Sequence, residues 1–478
     1  MHTPAKRKVT NATSPGISKR PKIAVPEYHL TPSRRDDTGE VVWPAPRAQI
    51  DLARARILEC ANSNKPTLIL PDKDADGLSS GSILYHTLTT LGLSSDLISV
   101  HFPPKGSNIH DDTARAFVSS ISPSYIFVLD QGSRRSRALA SSLHKALVID
   151  HHFAEEGGFP ENSEFVTAHD CAPVATSSLL TYHLCLPLAQ TLQDKISWLA
   201  ALGTHGDLGT ALKWDPPLPD MTAAFKQFTK KALNEAVSLI NAPRRTAAYN
   251  VWDAWDALLS APGPVSILQN RKLQEASMEV RKETKRWTRS PPKFSADSTI
   301  AVVTISSEAQ VHPVIATRWS GHLKSDKLEI VMCANEGYLQ GMVNFSCRVA
   351  KHARAREGEG KVDIIKTLES IAARSPDLRQ RLGESFARGH KEASGGIVGI
   401  EEWKELKELM GVGVNGKKKG ETASEGRNPK DGIENKKATQ KNTLSNYFGK
   451  QPKIQSKSPQ SRDTTHPDVI RKDLSEST

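Results

Sequence analysis

Three aspartates at alternating positions follow a short apolar run near residue 70. The apolar run covers residues 67–71, and Asp72, Asp74 and Asp76 come directly after it, followed by Gly77. Carboxylates this close repel one another unless a cation lies among them, and a divalent metal ion is the simplest such cation. For this stretch alone, a solvated acidic loop is the alternative.

The same pattern recurs further along the chain. The apolar run 125–129 ends at Asp130, the run 146–149 ends at Asp150-His151-His152, and an apolar helical stretch, 196–202, leads to Asp207. The short runs 67–71, 125–129 and 146–149 are typical of buried strands. Because the carboxyl ends of parallel strands share one edge of a sheet, we expect these acids and imidazoles to meet there.

The elements that must position these residues alternate between strands and helices. Leu84, Leu88 and Leu91 have the spacing of a helix face, and residues 50–60 and 173–186 also read as helices, the latter beginning at Pro173. Further strands are predicted at 97–102 and 164–168. Alternation of this kind predicts a parallel-sheet α/β domain over residues 46–215.

The four motifs together resemble those of a known family. D-x-D-x-D-G, apolar-D-x-G, D-H-H and G-x-x-x-D occur in this order between residues 72 and 207. This set is similar to that of the DHH phosphoesterase superfamily, which includes RecJ-type exonucleases, phosphodiesterases of short oligonucleotides and cyclic dinucleotides, and family II pyrophosphatases. The resemblance implies a hydrolase that uses two divalent ions about 4 Å apart, with Mn²⁺ favoured and Mg²⁺ as the alternative.

By this resemblance the ligands divide between the two ions. Asp74 and Asp130 would hold one ion, and Asp76, Asp130, His151 and Asp207 would hold the other. Asp130 would therefore bridge the pair.

Four further residues would support the metal ligands. Asp72 would be a ligand or a supporting carboxylate, Asp150 would orient the histidines, and His205 would lie behind Asp207. His152 would face either a metal ion or the substrate phosphate, and the sequence leaves both open.

A second, smaller α/β domain is expected over residues 297–410. Strands are predicted at 298–305, 328–333 and 341–348, and helices at 312–323 and 362–373. Residues 388–396 are similar to the G-G-H-x-x-A-x-G signature of the DHH-associated domain, with Arg388 in place of the first glycine. The resemblance implies that this domain grips the substrate phosphate, through Arg348, Gly389, His390, Lys391, Gly395 and Gly396.

Residues 216–296 are expected to form a helical connector between the two domains. Its basic run 281–286 is either a solvated helix face or a wall that follows the phosphates of the substrate.

The net charge of +11 on this 478-residue chain is concentrated in its tails. Residues 1–40 contain 8 Lys/Arg and 4 Asp/Glu, and residues 411–478 contain 14 and 8. The five cysteines are scattered, which favours reduced thiols in an intracellular protein and argues against a disulfide framework or a zinc ribbon. No apolar run reaches the length of a membrane span.

Both tails are expected to be disordered. In residues 1–45, the basic clusters 6–8 and 19–22 resemble a bipartite nuclear import signal, and a solubilising tail is the alternative. In residues 411–478, Leu444, Tyr447 and Phe448 resemble the apolar plug of a peptide that binds the replication sliding clamp. The nucleus is the predicted location, with the cytoplasm or mitochondrion as alternatives.

These features favour a metal-dependent exonuclease or phosphodiesterase acting on single-stranded nucleic acid, with DNA preferred. A phosphatase or phosphodiesterase of short oligonucleotides or small phosphate metabolites is the first alternative. A replication scaffold without catalytic activity is the second, and the intact motif residues disfavour it.

Overall fold

The computed structural model describes residues 31–356, 358–383 and 385–413, with the backbone but not the side chains of Glu359 and His390. The predicted import signal and the predicted clamp-binding residues Leu444, Tyr447 and Phe448 lie outside the described residues. Both remain predictions from the sequence.

The first part of the chain alternates strands and helices. Its elements are α1 (Arg47–Ser63), β1 (Thr67–Pro71), α2 (Ala75–Thr90), β2 (Ile98–Val100), α3 (Asp112–Ile121), β3 (Tyr125–Leu129), β4 (Lys145–Asp150), β5 (Ser163–Thr167), α4 (Ser177–Cys185) and α5 (Gln193–Leu208). Five helices follow: α6 (Thr222–Gln227), α7 (Lys230–Ile240), α8 (Val251–Ser260), α9 (Pro264–Gln269) and α10 (Arg271–Trp287).

The five strands of this part form one sheet in the order β2-β1-β3-β4-β5. All neighbouring strands run parallel. Two of the three interior strands, β1 and β3, are buried along their whole length, which explains their continuous apolar sequences. The predicted parallel α/β fold is confirmed, and the carboxyl ends of β1, β3 and β4 share one edge.

Helix α4 begins later than the sequence indicated. The prediction started it at Pro173, but the first helical residue is Ser177. The side chain of Thr176 caps the helix by accepting from the backbone N–H of Leu179, a role for which threonine is suited. Residues 173–176 therefore lead into the helix without belonging to it.

The predicted connector is not a separate layer. One hydrophobic core extends from Ala45 through the sheet to Leu273, so α7, α8 and α9 pack with the first domain. Helix α10 passes from this core to the next, because Val280 and Trp287 pack against the core of the second domain. The division between the domains therefore falls within α10, well after residue 216.

The second domain contains β6 (Lys293–Phe294), β7 (Ile300–Ile305), α11 (His312–His322), β8 (Ile330–Leu339), β9 (Met342–Val349), α12 (Ile364–Ala372), α13 (Pro376–Leu382), β10 (Arg388–His390), β11 (Ala393–Gly399) and α14 (Ile400–Leu409). Its described strands form a six-stranded sheet in the order β10-β11-β9-β8-β7-β6. Only β7 and β8 pair in parallel among them. The expected smaller α/β domain is present.

None of the helices in the described part of the chain combines the length and apolar composition needed to cross a membrane.

His312 is buried at the first residue of α11. Burial, together with the cations of Arg348 and Arg245, lowers its pKa to about 3 from the usual 6.5. Between pH 6.5 and 3, His312 therefore binds a proton in the unfolded chain but stays neutral in the folded chain. This contribution to stability is complete above pH 6.5 and is lost as the pH falls towards 3.

We predict that replacing His312 by phenylalanine weakens the pH dependence of stability. Between pH 6.5 and 4.5 the free energy of unfolding of the wild type should fall by up to about 1.4 kcal/mol per pH unit because of this one group. Denaturant titrations at several pH values measure the slope. His322→Phe, in the last turn of the same helix, is the control, and equal slopes in wild type and His312→Phe would contradict the prediction.

Candidate metal centre

Asp72 and Asp74 lie where β1 turns into α2. The backbone N–H of Asp72 donates to the carbonyl of Leu129 at 2.9 Å, which extends the pairing with β3 and sets Asp72 beside Asp130. Asp74 is the cap of α2, and its Oδ1 accepts from the N–H groups of Asp76 at 3.0 Å and Gly77 at 3.2 Å. Capping therefore orients this carboxylate.

The two carboxyl groups respond differently to their surroundings. Burial and the neighbouring Asp74 raise the pKa of Asp72. Burial also disfavours the ionised form of Asp74, but Arg244 and the N–H groups of α2 outweigh it and lower its pKa. The turn thus contains a carboxylate held in its charged form.

Asp76 is fully buried and lies against the amino end of α4. Its Oδ2 accepts from the N–H of Ser177 at 2.7 Å, and its Oδ1 accepts from the N–H and hydroxyl of Ser178. A side chain at Gly203 would place its Cβ 2.7 Å from Oδ1 of Asp76, so glycine is needed for α5 to pass this close. Burial and the charge of Asp207 raise the pKa of Asp76 to about 6.

Asp130 lies at the centre of the group. It has a φ of +62°, a conformation that aspartate tolerates better than most residues. Its Oδ1 accepts from the hydroxyl of Ser177 at 2.9 Å. Burial and the nearby Asp76 raise the pKa of Asp130 well above its usual value. Several buried carboxyl groups therefore lie so close together that each one disfavours the ionisation of the others.

His151 faces two of these acids. Its Nε2 lies 3.3 Å from Oδ1 of Asp130 and 3.3 Å from Oδ2 of Asp207. Among the described residues, no group meets hydrogen-bond geometry with this buried nitrogen. Burial opposes protonation of His151, but Asp130 and Asp207 outweigh it and raise its pKa well above the usual value. The acids around His151 thus create a strong preference for positive charge.

Asp150 fixes the histidine pair from behind. It is fully buried, and its Oδ1 accepts from the N–H groups of His151 at 2.8 Å and His152 at 3.2 Å. The same oxygen lies 2.8 Å from Nδ1 of His152, while Oδ2 accepts from the N–H of Ser133. Burial raises the pKa of Asp150, but the bond to His152 outweighs this and lowers it to about 2. Asp150 therefore orients the histidines, as predicted from the motif.

The ligand atoms form three overlapping groups, each with atoms within 4.8 Å of one another. The groups are Asp72/Asp74/Asp130, Asp76/His151/Asp207 and Asp130/His151/His152. Buried carboxylates with raised pKa values and an imidazole nitrogen without a partner fit a divalent cation. Such a cation would offset the repulsion among the carboxylates and would give the imidazole nitrogen a partner. The structure thus brings together all six predicted catalytic residues and Asp72.

His205 does not join this group. Its ring stacks on Phe225 with centroids 5.8 Å apart and contacts the edge of Trp214. Burial and Lys230 lower its pKa to about 4, so it is a neutral residue of an aromatic cluster. The structure does not support the prediction that His205 backs Asp207, because α5 turns its side chain to a different neighbour.

Two residues that sequence reasoning missed come from the loop after α7. Oδ1 of Asn241 accepts from the N–H of Ala75 at 3.3 Å and from Nε of Arg244 at 3.2 Å. Arg244 in turn lies 3.6 Å from Oδ2 of Asp74. The only sequence signal was a pair of arginines at 244–245 after a proline. Nothing in that pattern indicated that this loop contacts the β1–α2 turn at Asp74.

Arg244 also lines a cavity of about 260 Å³ between the two domains. Its lining includes Asp72, Lys73 and Tyr249 from the first domain and Tyr338 and Asn344 from the second. This cavity, here called the interdomain cavity, opens beside the metal centre.

Arg348 lies on the cleft side of the second sheet. In β9, Asn344 and Arg348 alternate with core residues, so Arg348 shares the face on which Asn344 lines the interdomain cavity. Nη1 of Arg348 donates to the hydroxyl of Ser346 and the carbonyl of Cys347. The position is compatible with the predicted contact to a substrate phosphate.

The glycine-rich stretch 388–396 is a β-hairpin. Arg348, Ala393 and His390 occupy one row across β9, β11 and β10. Gly389 has a φ of +107°, and a side chain at Gly395 would place its Cβ 2.6 Å from the carbonyl oxygen of Phe345.

The glycines therefore permit close strand packing, and the expectation that Gly389, Gly395 and Gly396 help to bind the substrate phosphate stays a prediction. Lys391 is exposed in the hairpin turn, and the side chain of His390 lies outside the described residues.

Comparison with known families supports the assignment of the motifs. Residues 66–204 match the DHH family, N-terminal domain. This range covers the acidic turn, Asp130 and the Asp-His-His motif. A comparison with curated protein sequences found no match.

Solved structures share the fold over most of the chain. RecJ of Thermus thermophilus in complex with Mn²⁺ is 17% identical, with a TM-score of 0.56 over 77% of this chain and 55% of that one. An exonuclease RecJ bound to manganese is 17% identical, with a TM-score of 0.52 over 78% and 95%. A DHH domain from a member of a ribosomal-protein family is 14% identical, with a TM-score of 0.54 over 76% and 90%.

The match to the Thermus RecJ spans about half the length of that protein, and identities this low establish the fold alone. The family match adds the N-terminal domain and its motif residues. Residues 66–204 therefore match the N-terminal domain of the DHH family, and the chain shares its fold with RecJ over about three quarters of its length.

Proposed function

We propose that this protein is a metal-dependent phosphodiesterase that removes nucleotides from an end of single-stranded nucleic acid, with DNA preferred. The observation that carries the proposal is the overlap of the three ligand groups. Asp130 belongs to two of them and His151 belongs to two, so the groups form one continuous set large enough for two ions. Two adjacent divalent ions are the usual catalysts of phosphodiester cleavage.

Asp72, Asp74, Asp76, Asp130, His151, His152 and Asp207 would hold the two ions. Bound there, they would neutralise charge at the scissile phosphate and lower the pKa of a water nucleophile. The carboxylate and imidazole ligands suit Mn²⁺, with Mg²⁺ as the alternative. The manganese in both RecJ structures supports this choice.

The chain's own groups would position the substrate. Asp150 engages Nδ1 of His152, which leaves Nε2 to face a metal ion or a phosphate oxygen. The guanidinium of Arg244 faces the interdomain cavity and can donate two hydrogen bonds to a phosphate. Tyr249 offers a ring on which a base can stack, whereas Lys105 already lies over the ring of Tyr338. These groups would hold the terminal nucleotide beside the ligands.

The small volume of the interdomain cavity favours one alternative function, the hydrolysis of short oligonucleotides. A space of about 260 Å³ suits a single nucleotide, and would also suit the end of a very short oligonucleotide. A phosphodiesterase of short oligonucleotides is therefore the second candidate. The nuclear location and clamp docking are proposals that rest on the tail sequences.

We predict that Asp130→Asn abolishes hydrolysis. Removing the charge shared by two ligand groups should lower kcat by at least about 10²-fold, as expected for loss of a charge-stabilising group. The assay is degradation of end-labelled single-stranded DNA and matched RNA, from dinucleotides to long strands, with Mn²⁺ and after its removal by a chelator.

Asp96→Asn, on the exposed surface, is the matched control. Added Mn²⁺ should raise the melting temperature of the wild type and of the control but not that of Asp130→Asn. Equal activity of Asp130→Asn and the wild type would refute the role of this carboxylate. Cleavage confined to oligomers of two to five nucleotides would move the assignment to the second candidate.

We also predict that Arg244→Ala raises KM by about 10-fold while Arg244→Lys has a smaller effect. A charged hydrogen bond to phosphate contributes roughly 1.5–3 kcal/mol, and lysine keeps the charge but not the paired donors. Steady-state kinetics on a 5′-labelled oligonucleotide measures both. Arg271→Ala, exposed on α10, is the control, and an unchanged KM in Arg244→Ala would count against a contact with substrate.

A further inference from the structure

Two of the four connections in the first sheet contain no helix, and the longer of them joins β3 to β4. Parallel neighbouring strands are usually joined through a helix. Here residues 130–144 join them without a helix or strand. Loops of this length without secondary structure are uncommon in compact domains and are usually functional. The loop therefore needs an explanation beyond chain connection.

The loop contains three arginines, at positions 134, 135 and 137. Together with Arg115 of α3 they line a cavity of about 450 Å³, here called the arginine pocket. Its lining also includes Asp111 and Asp112, so four cations face two carboxylates. The pocket therefore has a net positive charge suited to an anion.

The pocket is held in shape by its own contacts. Nε of Arg115 donates to the carbonyl of Ala138 at 2.8 Å, which ties α3 to the loop. Arg137 lies 3.7 Å from Asp112, in a contact between two well-exposed side chains. Such exposed pairs contribute little to stability, so Arg137 can exchange this partner for a phosphate.

His110 connects the pocket to the second domain. Its Nδ1 lies 2.9 Å from the hydroxyl of Ser136. Burial, followed by the cations of Arg134 and Arg388, lowers its pKa to about 4. The imidazole is therefore neutral near pH 7, and Arg388 of the β10–β11 hairpin lies near enough to His110 to lower its pKa.

The pocket is also close to the metal centre. Arg134 follows Asp130 by four residues, which limits the distance between their Cα atoms to about 14 Å. The N–H of Ser133 donates to Oδ2 of Asp150, so the loop begins against the motif that holds the histidines. Because even stacked nucleotides advance about 3.4 Å each, a strand that spans this distance covers at most roughly four steps, and fewer when it is extended.

We propose that the arginine pocket binds a backbone phosphate of a single-stranded substrate a few nucleotides from the scissile bond. This assignment rests on the proposed function and deepens it, because it makes a strand longer than a dinucleotide the preferred substrate. The contact is to phosphate, so DNA and RNA strands are bound alike at this point.

The test uses the full-length chain with the double variant Arg135→Ala/Arg137→Ala. Both side chains are exposed, so the fold should tolerate the change. The control is Arg47→Ala/Arg271→Ala, which removes two exposed arginines that each pair with an acid on their own helix. Arg135→Lys/Arg137→Lys keeps the charge.

Kinetics are compared on a dinucleotide and on a strand of about 20 nucleotides. The alanine variant should raise KM for the long strand by about 10-fold or more and leave the dinucleotide unchanged. The lysine variant should recover most of the loss. An equal effect on both substrates, or no effect on the long strand, would overturn the proposal.

Binding without hydrolysis separates this proposal from the proposed function. Fluorescence anisotropy in EDTA, with labelled DNA and RNA strands across a salt series, measures phosphate contacts directly. Each lost contact should reduce the slope of log affinity against log salt by about 0.7. If the wild type hydrolyses no substrate but the alanine variant shows a smaller slope of log affinity against log salt, the phosphate contact of the pocket is supported and the proposed function is refuted. Slopes equal to those of the control refute the pocket.

Discussion

The mutual repulsion of buried carboxyl groups dominates this structure. Asp72, Asp74, Asp76, Asp130 and Asp207 converge at the carboxyl edge of one parallel sheet. Burial and this crowding raise the pKa values of several of them, so the folded chain holds a charge conflict that a divalent cation would resolve. A fold that keeps such a conflict is built to bind cations.

The surrounding elements hold the carboxylates in place by donating hydrogen bonds. The amino end of α4 donates to both oxygens of Asp76, and the amino end of α2 donates to Asp74. Partial positive charge at helix amino ends stabilises carboxylates at just these places. Asp150 acts on the opposite side, where it orients His151 and His152. Backbone groups therefore preorganise the side chains that could hold a metal ion.

The two-domain arrangement places side chains of the second domain opposite the side chains that could hold a metal ion. The first core continues to Leu273, and α10 then connects it to the second core. Lys105 of the first domain donates to the carbonyl of Glu308 at 2.6 Å and lies over the ring of Tyr338, both in the second domain. The interdomain cavity is consequently bounded by side chains from both domains, and the proposed binding of a terminal nucleotide would use both sets.

The sequence by itself determined the parallel sheet and the predicted metal ligands. Apolar runs that each end in an acid or imidazole can be read without a structure, because strand burial and the position of the carboxyl edge follow from local pattern. Only the tertiary structure decided the contacts of Asn241 and Arg244 with the turn after β1, the aromatic surroundings of His205, and the electrostatic influence of Arg388 on His110. Each of these depends on packing between segments distant in the chain or on which way a helix turns a side chain, and neither is encoded in the spacing of neighbouring residues.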